Sequence, residues 1–137
     1  MNYFFLRLTF CIAFTFFLTF SFAQTPDWQW EQGSNGIGYD RGQSIATDNY
    51  GYIYVAGIYN SPSINFGSTT LVNTNQNGSS YDIFIVKYDR NGNVMWAKNA
   101  GGNGNDIVKK IIIGGNGIII TGYYYSSSIL FDTTTLY

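Results

Sequence analysis

Two aspartates close the same short motif, Gly36-Ile-Gly38-Tyr-Asp40 and Gly102-Asn-Gly104-Asn-Asp106. Glycoside hydrolysis uses two carboxyl groups about 5 to 10 Å apart, so Asp40 and Asp106 are the candidate rim carboxylates of this chain. The competing reading is structural: an aspartate beside a glycine-rich turn accepts backbone N–H bonds and caps it. A fixed role in the turn explains why the residue returns with its motif, and the cap is the expectation. The glycines themselves could cradle a phosphate, but such a loop must lead into a helix whose first amides hold the anion. Here each motif leads into a strand-like run, so it is read as a connection.

Tyr50, Tyr52 and Tyr54 alternate, which places them on one strand face, and Tyr123-Tyr124-Tyr125 lie in the matching region of the second motif. Such rows form platforms for sugar rings or fill the space between packed sheets. Packing is the expected use, with Tyr50, Tyr52 and Tyr54 kept as the candidate ligand platform. Asp89-Arg-Asn-Gly-Asn93 offers oxygen ligands at close spacing, but a calcium loop needs a bidentate Glu six residues after its glycine, and Lys98 stands there. It is read as a hairpin turn.

The chain has no histidine, and its one cysteine is Cys11. Residues 1–23 read as a secretory signal peptide: Arg7 as the only charge, an apolar run from Leu8 to Phe20, and small residues at Ser21 and Ala23. Cleavage is expected between Ala23 and Gln24. The apolar run falls short of the about 20 residues of a membrane span, so no span is expected once the signal is removed. Loss of Cys11 with the signal would leave neither thiol nor imidazole, which excludes thiolate nucleophiles, Ser-His triads and the usual zinc sites. The formal net charge is −1 with no cluster of Lys and Arg, which argues against a nucleic-acid partner.

The elements that must position these residues repeat. Trp30, the first glycine motif and Gly51 return about 66 residues later as Trp96, the second motif and Gly117. Gly57, Phe66 and Thr69-Thr-Leu71 return as Gly122, Phe131 and Thr134-Thr-Leu136, one residue having been lost just after Gly117. Short runs of Ile, Val, Tyr and Phe separated by Gly, Asn, Ser and Asp read as strands and turns. Strands are expected near Arg41–Thr47, Tyr52–Tyr59, Tyr81–Tyr88 and Asn93–Lys98, with a short hairpin through Ile64–Phe66 and Thr69–Val72. The long connection Asn60–Ser80, which holds that hairpin and the Asn/Gly/Ser-rich residues 73–80, is the expected mobile loop. In Ile83-Phe-Ile-Val86 neighbours on opposite faces are both apolar, so both faces of the sheet must be covered.

The string from Asp82 to Asp106, Ser44-Ile-Ala-Thr-Asp48 followed by Gly51-Tyr-Ile-Tyr-Val-Ala-Gly57, and Ile64-Asn-Phe-Gly67 resemble the bacterial β-propeller repeat family abbreviated SBBP. In the second copy Gly114-Gly115 replace Asp48-Asn49, and Lys109-Lys110 replace Gln43-Ser44. The resemblance implies an all-β partial β-propeller of four-stranded antiparallel blades. Residues 24–39 would be the orphan fourth strand of another blade, 40–105 a complete blade and 106–137 a truncated one. It also implies a secreted or cell-surface protein, here a fragment, acting as a non-catalytic binding or display scaffold. Carbohydrate or another surface protein would be the partner. No catalytic residue, cofactor or metal is assigned. The alternatives are part of a propeller enzyme of glycoside hydrolase or lyase type, and a structural spacer in a large adhesin.

Overall fold

The computed structural model describes residues 27–115 and 117–137. The signal peptide and its cleavage site lie outside them. The fold is all-β: ten strands and no helix among the described residues, in antiparallel sheets of which none closes on itself.

A meander of four strands forms the centre. Strands β1 (Asp40–Thr47), β2 (Ile53–Tyr59), β5 (Asp82–Tyr88) and β6 (Val94–Gly101) pair in chain order. The two hairpin turns between them use the same chemistry. The Oδ1 of Asp48 accepts from the N–H groups of Tyr50 and Tyr52 at 2.9 and 3.0 Å. The Oδ1 of Asp89 accepts from Asn91 and Asn93, both at 2.8 Å. Each turn ends on a glycine in the left-handed region, Gly51 at φ 77° and Gly92 at φ 83°, a conformation that a side chain would strain. The Arg90 Nε donates to the Tyr50 carbonyl at 2.6 Å and ties the two turns together.

Between β2 and β5 the chain makes the hairpin β3 (Ser63–Phe66) and β4 (Thr69–Val72). The second copy supplies β7 (Asp106–Gly114) and β8 (Gly117–Tyr124), paired as a two-stranded sheet, then the hairpin β9 (Ile129–Phe131) and β10 (Thr134–Leu136). β9 pairs with β6, so the second hairpin extends the first sheet to six strands. The copies share their register: Asp40 faces Tyr59 as Asp106 faces Tyr124. A bulge interrupts β1 between Gly42 and Ser44 and β7 between Val108 and Lys110, the same repeat position. At this bulge the Ser44 Oγ accepts from the Ile111 N–H at 3.1 Å, a direct link between the copies.

Each face of the meander carries its own core. On one face Tyr54, Ala56, Ile58, Ile83 and Ala100 pack with Ile107, Val108 and Ile111 of β7 and with Ile129. On the other, Tyr59, Phe84, Val86 and Tyr88 pack with Ile64, Phe66 and Leu71 of the first hairpin, and Trp30 packs against them. Gly57 permits this second core, because a Cβ there would strike the Arg41 carbonyl and the Phe84 ring.

Two expectations differ from the structure. Residues 27–39 carry no strand; an extended segment becomes a strand only beside a neighbour that takes its hydrogen bonds, and no described strand lies along it. Trp30 nonetheless packs, its ring centroid 5.6 Å from that of Tyr88. The loop 73–80 is also more anchored than its composition suggests. Asn73 is buried, and its Nδ2 donates to the carbonyls of Tyr59 and Ser80 at 3.1 and 3.3 Å.

Phe84 tests the second core. Its ring centroid lies 4.9 Å from that of Phe66, and Phe84→Ala is expected to cost about 3–5 kcal/mol in urea denaturation. Met95→Ala, at a half-exposed position, should stay within about 0.5 kcal/mol.

Candidate functional site

The repeated glycine motif folds each time into the same clasp. In the first copy the Asp40 Oδ1 accepts from the N–H groups of Asn60 and Ser61 at 3.1 and 3.2 Å. The Ser61 Oγ donates to Asp40 Oδ2 at 2.5 Å and accepts from the Gly38 N–H at 2.7 Å. In the second copy the Ser126 Oγ donates to Asp106 Oδ2 and accepts from the Gly104 N–H, both at 2.8 Å. A Cβ on Gly36 would overlap the Asp40 carboxylate, and one on Gly102 would meet the Ser128 carbonyl and the Ser126 side chain. The glycines are therefore places where backbone passes against the clasp, with no helix after them to hold an anion. Both candidate rim carboxylates, Asp40 and Asp106, are turned into their own clasps.

A third aspartate belongs beside them. Asp82 is wholly buried at the start of β5; its Oδ2 accepts from the N–H and Oγ1 of Thr74 at 2.7 and 2.9 Å, while its Oδ1 has no partner. Asp106 Oδ1 is likewise buried without a partner. Removing a charged carboxylate from water is costly. Burial pushes Asp82 up to about 6 against the Thr74 hydrogen bonds, and the charge of Asp106 adds to the rise. Burial also raises Asp106. No local sequence pattern marks Asp82, because its surroundings come from Thr74 and from Gly101, where a Cβ would collide with the carboxylate.

A concavity lies elsewhere, where the β1–β2 turn meets the β7–β8 hairpin. It is a groove of about 730 Å³ lined on one side by Asp48, Tyr50, Tyr54, Lys87 and Trp96, and on the other by Ile113, Gly114, Gly115, Gly117 and Ile118. Of the three tyrosines of the expected platform, Tyr50 and Tyr54 line it and Tyr52 does not. Tyr50 stands in the turn with 71% of its surface exposed, Tyr52 is half-buried, and Tyr54 is buried edge-on to Trp96, ring centroids 6.2 Å apart. The Lys87 Nζ sits 4.1 Å from the Tyr52 ring centroid and 5.1 Å from that of Tyr54. An open row of three rings does not form; Tyr50 and the partly buried Trp96 are the aromatic surfaces left for a ligand.

The groove's charges are fixed through the neutral range. Desolvation raises the Asp48 pKa, but the N–H groups of Tyr52 and Tyr50 and the Tyr54 hydroxyl outweigh it, and the net shift is downward. Lys87 is raised, first by the Tyr54 hydroxyl and further by Asp48, against desolvation. A carboxylate kept ionised and an ammonium kept charged bind polar groups well and exchange protons poorly near neutral pH. Among the described residues no three carboxylate, imidazole or thiol groups come together to hold a metal ion. In comparisons with family models, curated proteins and solved structures, nothing matches this chain.

The buried pair predicts a pH dependence. With its folded pKa raised from 3.8 to about 6, Asp82 favours the folded state when protonated. Its contribution is fully present below pH 3.8 and is lost as the pH rises through 6; Asp106 acts in the same direction. Asp48 and Asp89, both lowered, act below this window. Urea denaturation is expected to show a higher midpoint at pH 4.5 than at pH 7.5, and Asp82→Asn should remove more than half of that difference.

Proposed function

We propose that this chain belongs to an exported β-propeller-repeat protein of the SBBP type and serves as a non-catalytic binding scaffold at the cell surface or outside the cell. The observation that carries the reading is the groove between the two repeat copies. Its walls pair aromatic surface with an ionised carboxylate and an ammonium. The duplicated clasp, shared register and shared bulge support a repeat whose unit is the four-stranded meander, used as a propeller blade. Residues 1–23 are its export signal.

A polyhydroxylated ligand fits this groove. Sugar rings offer an apolar face to Tyr50 and Trp96 and hydroxyls to Asp48 and Lys87, the usual division between aromatic body and polar anchor. The ligand class proposed is therefore carbohydrate. Titration of the purified protein with soluble polysaccharides, followed by tryptophan fluorescence, tests it. Tyr50→Ala and Lys87→Gln should each weaken binding by about tenfold or more, with the urea midpoint unchanged for the exposed Tyr50. Affinity unaltered by both substitutions would refute the site, and polysaccharide cleavage abolished by Asp48→Asn would refute the non-catalytic reading.

A further inference from the structure

Strand pairing sets three side chains of the groove in one row. Tyr54 of β2 stands opposite Lys87 of β5, and Lys87 in turn stands opposite Trp96 of β6. Side chains directly opposite each other in an antiparallel pair share a face, with Cβ atoms about 4.5–5.5 Å apart, so Lys87 is fixed beside Trp96. Two further rings hold its ammonium: the Nζ lies 4.1 Å from the Tyr52 centroid and 5.1 Å from that of Tyr54.

The charged groups around the groove are not equally satisfied. Asp48 commits its carboxylate to its own turn, Oδ1 accepting from two N–H groups and Oδ2 from the Tyr54 hydroxyl at 3.1 Å. Asp89, in the neighbouring turn, is used in the same way by Asn91 and by the backbone and side chain of Asn93. The cations have no such partners. Among the described residues the one ion pair joins Lys98 to Asp132, so Lys87 and Arg90 are each without a carboxylate. Arg90 is exposed and reaches the rim, where its Nε donates to the Tyr50 carbonyl. The opposite wall, of glycine and isoleucine, brings no charge. The charges balance in number, but the negative ones are already hydrogen-bonded and the positive ones still lack an anion.

We propose that the groove selects an acidic polysaccharide of the uronic acid type, with Lys87 as the residue that determines the selection. This rests on the carbohydrate reading above and narrows it. A uronic acid carries its carboxylate directly on a ring carbon, close to the apolar ring face, and the row offers the matching pair. Trp96 takes the face, and Lys87, its cross-strand neighbour, takes the carboxylate. A sugar hydroxyl fills the acceptor position left on Asp48 Oδ2, and Arg90 adds positive potential at the rim. A sulfate ester stands an atom farther from its ring than a carboxylate, so the close spacing of Trp96 and Lys87 favours the uronate.

Alginate, polygalacturonate and hyaluronan, each beside its carboxyl-reduced neutral form, are titrated into the intact protein and followed by tryptophan fluorescence. At least one polyuronate is expected to bind about tenfold or more tightly than its neutral form, and added salt should weaken the charged polymer alone. Lys87→Gln should abolish the preference and Lys87→Arg should keep it. The comparison of charged with neutral polymer needs only the wild-type protein, so it decides even where a variant misfolds. Equal affinity for the two forms, or a preference that survives Lys87→Gln in folded protein, would overturn the selectivity and leave the carbohydrate reading standing. A sulfated galactan bound as tightly as the best polyuronate would overturn the uronate assignment. No binding of any polymer would overturn both this inference and the carbohydrate reading.

Discussion

An aspartate gripped by a serine hydroxyl and backbone N–H groups is the interaction on which the rest of the structure depends. Asp40 with Ser61, and Asp106 with Ser126, join the start of the first strand of each copy to the segment that leaves the second. That fixes the register of β1 on β2 and of β7 on β8, and with it the face that every later side chain presents. A carboxylate taken wholly out of water, as in Asp106, or partly so, as in Asp40, needs donors around it, and the donors can approach only because Gly36, Gly38, Gly102 and Gly104 have no Cβ to keep the backbone away. Motif, clasp and register are thus one constraint seen at three scales.

Packing builds on that register. With β1, β2, β5 and β6 held in order, the meander presents two apolar faces, one taken by β7 of the second copy and the other by the β3–β4 hairpin and Trp30. The groove of the proposed function is a consequence: it is the gap left at the turn end where β7–β8 lies against β1–β2. Its wall differs between copies because Asp48 organises the first turn, whereas Gly114-Gly115 occupy that place in the second, with Gly115 at φ 54°. A turn without the aspartate has no carboxylate to contribute, so the groove's negative charge comes from one side.

Much of the fold was legible in the residues. Strand positions followed from β-branched and aromatic runs between Asp-Xaa-Xaa-Gly turns, and the doubly apolar Ile83-Phe-Ile-Val86 implied cover on both faces. What escaped the sequence depends on contacts between distant segments. Asp82 looked like the polar start of a strand; its burial against Thr74 and Gly101 has no local pattern. The tyrosine row looked uniform, but β2 begins at Ile53, which leaves Tyr50 in the turn while Tyr54 enters the core. Residues 27–39 matched the fourth strand in sequence and yet form none, since strand character needs a neighbour.

The central claim, that the clasp amides are closed structural bonds and not open turn geometry, is tested most directly by residue-resolved amide hydrogen exchange. The N–H groups of Gly38, Asn60, Ser61 and Gly104 are expected to exchange as slowly as those of the central strands β2 and β5. Exchange at these four positions as fast as at the exposed turn residue Asn49 would contradict it.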